Sequence, residues 1–330
     1  LTMKLTFCPL DLKLKHTFQI ARETRTIQNN VIVLLQDNDE VVGLGEAAPT
    51  SYFGEDVHSV TSVLAQSADL LSHSDPFQIE DITNRLKNEF PESAAARASI
   101  DIALHDIIGK KLKIPLYRLL GLNRPESKTT SFTIGIDTLE KMGKKVEEAK
   151  DFPLLKIKVG FKDDIEILRE LRKMTRAVFR VDANTGWTPD EAIEKLNLME
   201  DLGVKLVEQP FPVGSIESLR QIKRHVKIPV FVDEDIKDSK DIPAFSDAVD
   251  GINIKLMKCG GIREALRMIY TARAHGLKIM IGCNIESSVS ITAAAHLTSL
   301  VDYIDLDGHL LVTNDPYRGA TVDKGRLTLP

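Results

Sequence analysis

From residue 131 onward the chain repeats one pattern: a short apolar run, a polar break, then an amphipathic stretch of helical length. The runs are SFTIGI (131–136), LLKIKV (154–159), VFRVDA (178–183), VKLVEQ (204–209), PVFVDE (229–234), GINIKL (251–256), KIMIGC (278–283) and DYIDLD (302–307). Short runs that are apolar on both faces suit parallel strands covered from both sides, and the amphipathic stretches suit crossover helices. Eight such units at intervals of roughly 25 residues predict a parallel (β/α) barrel. One helix opens with Thr188-Pro189-Asp190-Glu191, where threonine and glutamate match a capping box and proline falls on the first helical position. The segment after Asp307, GHLLVTNDPYRGATVDKGRLTLP, has no helix-length apolar stripe. The expected architecture is therefore a modified barrel, (β/α)7β, with seven helices and a tail that returns to the N-terminal domain.

Before residue 125 the pattern differs. MKLTFCPLDLKLKHTF and NNVIVLLQDNDEVVGLGEA are strand-like, the second broken by a polar DNDE turn, as a hairpin requires. Helical patterns follow over 56–72, over 76–90, and from Glu92 through AAARASIDIALHDIIGKKL. Antiparallel strands followed by helices predict an α+β capping unit. The expected division is 1–125 for this capping domain, 126–307 for the barrel, and 308–330 for the tail packing back on the cap.

With 330 residues, 43% of them hydrophobic, and a net charge of -5, the chain can bury a large core. Lys4, Asp11, Lys13 and Lys15 interrupt any signal-peptide-like run, and no stretch approaches the roughly 18 apolar residues of a membrane span. Cys8, Cys259 and Cys283 are too few and too scattered for a disulfide framework. Mild acidity without a basic stripe argues against nucleic acid. The expectation is a cytoplasmic protein without membrane or nucleic-acid partners, with a homo-oligomer as the assembly to test.

Barrel enzymes carry their chemistry at the C-terminal ends of the strands. Five successive runs end in charge: Lys156 and Lys158, then Asp182, Glu208, Asp233 and Lys255. A lone strand-end charge is ordinarily a loop cap or a surface ion pair, but five neighbouring strands charged at one height call for another account. Three converging carboxylates repel one another unless a cation sits among them, and oxygen ligands without histidine or thiolate suit Mg2+. Lys156 and Lys158 flank the acidic trio on one side and Lys255 on the other. That arrangement suits removal of a proton next to a carboxylate, where a divalent ion stabilises the developing ene-diolate charge. A lysine acts as base only when neutral, so Lys156, alternating onto the same face as Lys158, is read as the cation that lowers the pKa of Lys158. One base on each face of a planar intermediate gives racemisation or epimerisation.

KIKVG, VDANTGW, VEQPF, VDED and NIKLMKCGGI, in this order, resemble the muconate-lactonising-enzyme subgroup of the enolase superfamily, over nearly the whole chain. The resemblance implies Asp182, Glu208 and Asp233 as Mg2+ ligands, Lys158 as the second lysine of a K-x-K motif, and Lys255 as the opposite base. It also implies that capping-domain loops around residues 18–30 and 50–58 close over the barrel mouth and choose the substrate. Relatives of this kind continue past the position of Pro330 in a short Gly-rich tail.

Asp305 and Asp307, two apart in YIDLDGH, point to one face. A strand-end D-x-D is ordinarily solvated or a cap; here it resembles the pair by which dipeptide epimerases hold the substrate's α-ammonium, a task two carboxylates suit. The pair favours a dipeptide substrate. Cell-wall units such as L-Ala-L/D-Glu are the best-known ones in this family. The alternatives on the same scaffold are an N-acylamino-acid racemase, an o-succinylbenzoate synthase and a muconate cycloisomerase. Some Ala-Glu epimerases pair a first-loop arginine with the glutamate side chain. Here Glu23 falls at that position with Arg22 and Arg25 beside it, so Arg25 is the candidate, against solvent as the ordinary place for a loop arginine. Thr133, Cys283 and Ile285 are further candidate substrate contacts by resemblance, against simple loop packing. Cys283 has no paired histidine and is not read as a nucleophile. Two other classes are a Schiff-base aldolase using Lys255, which would need no acidic trio, and a non-catalytic binding barrel.

Overall fold

Alternating side chains build the first sheet of the computed structural model, which describes residues 3–330. Strand β1 (Lys4–Ile20) runs antiparallel to β2 (Glu23–Gln36), which pairs in turn with β3 (Val42–Ala47). Val31, Val33 and Leu35 of β2 are buried against the helices α1 (Val57–Ser72), α2 (Ile79–Glu89) and α3 (Ala94–Leu112). The DNDE turn forms because the Asp37 carboxylate accepts from the backbone N–H groups of Asp39 and Val41, both at 3.0 Å, while Glu40 takes φ +61°. α1 begins with a capping box between Asp56 and Ser59. α2 begins at Ile79 rather than at residue 76, because the Asp75 carboxylate accepts from the Phe77 N–H at 3.0 Å and holds the chain in a turn.

The one-turn α4 (Leu116–Leu119) and the short β4 (Lys128–Thr129) lead into eight parallel strands in sequential order. These are β5 (Phe132–Ile134), β6 (Leu154–Lys158), β7 (Val178–Asp182), β8 (Val204–Glu208), β9 (Val230–Val232), β10 (Gly251–Lys255), β11 (Lys278–Gly282) and β12 (Tyr303–Asp305). Each predicted apolar run contains one of them. The connections are α5 (Leu139–Glu148), α6 (Asp164–Met174), α7 (Pro189–Asp201), α8 (Ile216–His225), the single-turn α9 (Ile242–Phe245), α10 (Leu256–Cys259) continued by α11 (Ile262–Ala274), and α12 (Ser288–Ala295). The fold is the (β/α)7β barrel with an N-terminal α+β domain. Leu206, Phe231 and Met280 fill the interior beneath the strand ends. An isolated parallel bridge between Thr130 and Ile304 closes the circle.

Two local expectations change. At the start of α7, Pro189 takes the first helical position, but the Thr188 hydroxyl donates to the Glu191 carboxylate at 2.9 Å instead of accepting from a backbone N–H. Lys195, one turn on, holds the other oxygen of that carboxylate at 2.8 Å. The tail runs first along β1, where Val312 bridges Leu14 and the Thr313 N–H donates to the Lys13 carbonyl at 2.9 Å. Then β13 (Thr321–Asp323) and β14 (Arg326–Thr328) form a hairpin whose second strand pairs with β4. It therefore meets the barrel's entry strand as well as the cap.

α3 lies between the domains and is buried almost all round, so it shows no amphipathic stripe. It rests on bare backbone: a Cβ on Gly43 or Gly45 of β3 would overlap the carbonyl oxygens of Ala103 or Ser99. Two capping-domain carboxylates also cap barrel helices. Asp101 of α3 accepts from the Ile262 N–H at 2.5 Å, opening α11. Glu46 of β3 accepts from the Ser287 N–H and hydroxyl at 2.9 and 2.7 Å and from the Ser290 N–H at 3.2 Å, opening α12. These bonds fix the cap over the C-terminal ends of the strands. Among the described residues no helix is long and apolar enough to cross a membrane.

Candidate active site

The strand register sets Lys158, Asp182 and Glu208 side by side as Cα partners on β6, β7 and β8. Asp233 follows the end of β9, and Lys255 ends β10. The three carboxylates and Lys156 and Lys158 are buried. Lys158 Nζ stands 2.7 Å from Asp182 Oδ2, and Lys255 Nζ 2.7 Å from Asp233 Oδ2. Lys156 Nζ lies 3.0 Å from Asp182 Oδ2, 2.8 Å from Glu208 Oε2 and 2.7 Å from Asp305 Oδ2.

This geometry changes the account of Lys156. It shares an Asp182 oxygen with Lys158, but it is first the counter-ion of three acids. Burial pulls its pKa down, yet Asp305, Glu208 and Asp182 outweigh burial and hold it well above the ordinary lysine value. Burial likewise opposes the Lys255 ammonium while Asp233 raises it further. Asp182 and Asp233 are pushed up by burial but held well below the usual carboxylate range by their lysines. Glu208, buried beside Asp182, is raised.

The three carboxylates do not converge as a preformed metal cluster, nor does any other group among the described residues. The Lys156 ammonium stands between Asp182 and Glu208. The donor set nevertheless fits a hard cation. Glu234 Oε2, Asn184 Oδ1 and Asn253 Oδ1 are buried acceptors that receive no hydrogen bond, and Glu208 Oε2 has the Lys156 ammonium beside it at 2.8 Å. Asn184 and Glu234 line the cavity between the lysines, and buried oxygen acceptors without donors are what Mg2+ satisfies.

Asp305 and Asp307 are buried, not solvated. Asp305 accepts from the Ser131 hydroxyl and from Lys156, and Asp307 Oδ2 from the Thr133 N–H at 2.6 Å. Burial raises both carboxyls; Lys156 brings Asp305 back below its usual value, while Asp305 drives Asp307 further up. Thr133, Cys283, Ile285 and Arg25 line the same cavity as the three lysines, of about 90 Å³. Burial, then Glu286, pushes the Cys283 thiol well above its usual range, so it stays neutral. A larger cavity, of about 730 Å³, lies between the domains, but it gathers none of these strand-end groups.

The first capping segment is not a loop but the end of the β1–β2 ribbon, turning at Ala21 and Arg22. Arg25 is half-buried, and Arg22, though exposed at the turn, is engaged through its guanidinium. Arg25 donates to Glu23 and Gln28. Arg22 Nη1 reaches Glu234 Oε1 at 2.7 Å and the Asn184 carbonyl at 3.2 Å, with its guanidinium 4.0 Å over the Tyr52 ring. Sequence reasoning passed over Lys258, Asn184 and Glu234. Lys258 Nζ holds Asp233 Oδ1 at 2.6 Å and the Asn253 carbonyl at 2.9 Å. All three stand within the motifs VDANTGW, VDED and NIKLMKCGGI, one turn or less from a residue that was singled out.

A capped barrel with acids and amines ringed at its strand ends defines a barrel enzyme. Residues 139–330 match the family model described as enolase C-terminal domain-like, and residues 4–121 that of the mandelate racemase / muconate lactonizing enzyme N-terminal domain. The chain belongs to this family. It is 40% identical over 329 residues to the L-Ala-D/L-Glu epimerase of Bacteroides thetaiotaomicron, a match covering 99% of this chain and 85% of that one. The structure of a dipeptide epimerase from Cytophaga hutchinsonii, complexed with Mg and D-Ala-L-Val, superposes with a TM-score of 0.95 at 28% identity, covering 100% and 94% of the two chains. That of a dipeptide epimerase from Enterococcus faecalis V583, complexed with Mg and L-Leu-L-Tyr, also gives 0.95, at 33% identity and with 100% and 98% covered.

Proposed function

We propose that this chain is an isomerase of dipeptides, inverting the α-carbon of the C-terminal residue with Mg2+ as cofactor. What supports this most is the placement of Lys158 and Lys255 on β6 and β10, either side of one cavity, with Asp305 and Asp307 on its remaining side. Asp182, Glu208 and Asp233 would hold the ion. When bound it supplies positive charge that stabilises the ene-diolate developing on the substrate carboxylate. Were Asp182 and Asp233 taken up as ligands, the ion pairs that now hold Lys158 and Lys255 at 2.7 Å would loosen, leaving both amines to face the substrate's α-carbon. One lysine removes the α-proton from one face, and the other returns a proton to the opposite face. Lys156 stays with Asp305 and keeps the site's negative charge in check. Asn253 Nδ2 donates to Glu208 Oε1 at 2.8 Å, and Lys258 holds Asp233, so both acids are oriented from behind. Asp305 and Asp307 receive the substrate's α-ammonium. Thr133, Cys283 and Ile285 complete the wall.

The direct test is a library of free dipeptides in D2O with Mg2+, read by mass spectrometry and chiral chromatography. Deuterium should enter the C-terminal α-carbon together with the inverted epimer. A broad library that shows no uptake rules the proposal out.

A further inference from the structure

We infer, building on the epimerase reading, that the subsite for the C-terminal side chain selects an uncharged residue over an acidic one, and that Glu23 imposes this by neutralising Arg25. The ribbon tip brings Ile20, Arg22, Glu23 and Arg25 to the cavity that holds Lys158 and Lys255. Both arginines are already engaged. Arg25 donates through Nη2 to the Glu23 carboxylate and through Nη1 to Gln28 Oε1. Gln28 is itself buried and fixed, donating to Asn30 Oδ1 at 2.9 Å and to the Pro49 carbonyl at 3.3 Å. Arg22 is matched by Glu234 and stacked on Tyr52. The two ion pairs cancel.

The Arg25 and Glu23 side chains are only 20% and 29% exposed, so the tip is already partly withdrawn from water. An acidic substrate side chain entering here is desolvated and meets no free cation, whereas Ile20, Tyr52 and Phe53 offer apolar and aromatic surface to a neutral one. Glutamine and glutamate share a shape and differ in charge, so they isolate the effect.

The experiment measures deuterium uptake from L-Ala-L-Gln and L-Ala-L-Glu, with Mg2+, by wild type, Glu23→Gln, and the Glu23→Gln/Arg25→Gln double variant. Wild type is expected to favour the glutamine dipeptide by roughly 10-fold or more in kcat/KM. Glu23→Gln frees Arg25 and should move that ratio roughly 30-fold toward glutamate, as one released charge pairing allows. The double variant should lose the move. A wild type that prefers glutamate, or treats the two alike, overturns the inference, as does a Glu23→Gln ratio that stays in place. Exchange in the wrong order leaves the epimerase reading standing; no exchange with any dipeptide removes both.

Discussion

Asp307 Oδ2 accepts a 2.6 Å hydrogen bond from the backbone N–H of Thr133, across the seam where the last barrel strand meets the first. Asp305 crosses the same seam to Ser131 and also receives Lys156 at 2.7 Å. Ordinary ladder pairing is thin there, reduced to the single Thr130–Ile304 bridge. The two aspartates proposed to hold the ammonium therefore also hold the barrel shut.

The two roles separate by substitution. Asp307→Asn keeps an acceptor for Thr133 and loses only charge, so kcat/KM for free dipeptides should fall about 10- to 100-fold with little change in melting temperature. Asp305→Ala takes one of three acids from the buried Lys156 and leaves the Ser131 hydroxyl without its acceptor, and should cost roughly 1–3 kcal/mol of stability as well. An N-acetylated dipeptide, lacking the ammonium, should be a poor substrate for the wild type and lose little further in Asp307→Asn. Equal turnover of acetylated and free dipeptides by the wild type would make an N-acylamino-acid racemase the better assignment.

Lys158 and Lys255 approach the cavity from different strands, so their losses should not be equivalent. Lys158→Ala and Lys255→Ala are each expected to abolish net epimerisation, yet each should exchange the α-proton of the one epimer that the remaining lysine faces. Chiral analysis of deuterium wash-in distinguishes the two variants. If both folded variants lose exchange with both epimers, the two-base scheme fails.

Lys156 offers a test that does not depend on turnover. In EDTA, Lys156→Met leaves Asp182, Glu208 and Asp305 buried without their shared ammonium, a loss on the order of 3–5 kcal/mol. Mg2+ held by Asp182 and Glu208 should return part of it, so the drop in melting temperature should be smaller with Mg2+ than with EDTA. An equal drop in both buffers would argue that those two acids do not bind the ion. In the wild type, EDTA should abolish epimerisation and Mg2+ restore it.

The barrel was legible because its strands are short apolar runs whose inward faces end in charge, and period-two alternation says which residues share a face. Lys156 and Lys158, and likewise the paired aspartates, therefore share one face of their strands on the sequence alone. What the pattern could not show was pairing across distance. Glu46 caps Ser287 from 241 residues away, and Lys156 meets Asp305 across 149. Local spacing alone likewise left Arg22 to solvent, although Glu234, next to Asp233 in VDED, was waiting on another strand end. The capping box at Thr188 is the same lesson at short range: the hydroxyl turns to the Glu191 side chain rather than to a backbone N–H, a choice that a four-letter motif does not record.

A final prediction concerns Glu55, away from the lysines and their acids. Its carboxylate is buried and accepts from the Ala95 N–H at 3.0 Å, at the start of α3. Burial raises its pKa from 4.5 to about 7, and the hydrogen bond and Arg97 only partly offset this. An acid whose pKa is raised by folding binds its proton more tightly in the native state. Its contribution is therefore complete below its unfolded pKa and is lost as the pH climbs through the folded one. From this group alone, stability should decline between about pH 4.5 and 7, by at most about 3.5 kcal/mol. Glu55→Gln keeps an oxygen for Ala95 and never ionises. At pH 8 the variant should melt above the wild type, and at pH 5 the two should nearly coincide. A variant that melts below the wild type at pH 8 would show that the attraction of the ionised Glu55 to Arg97 outweighs its loss of water.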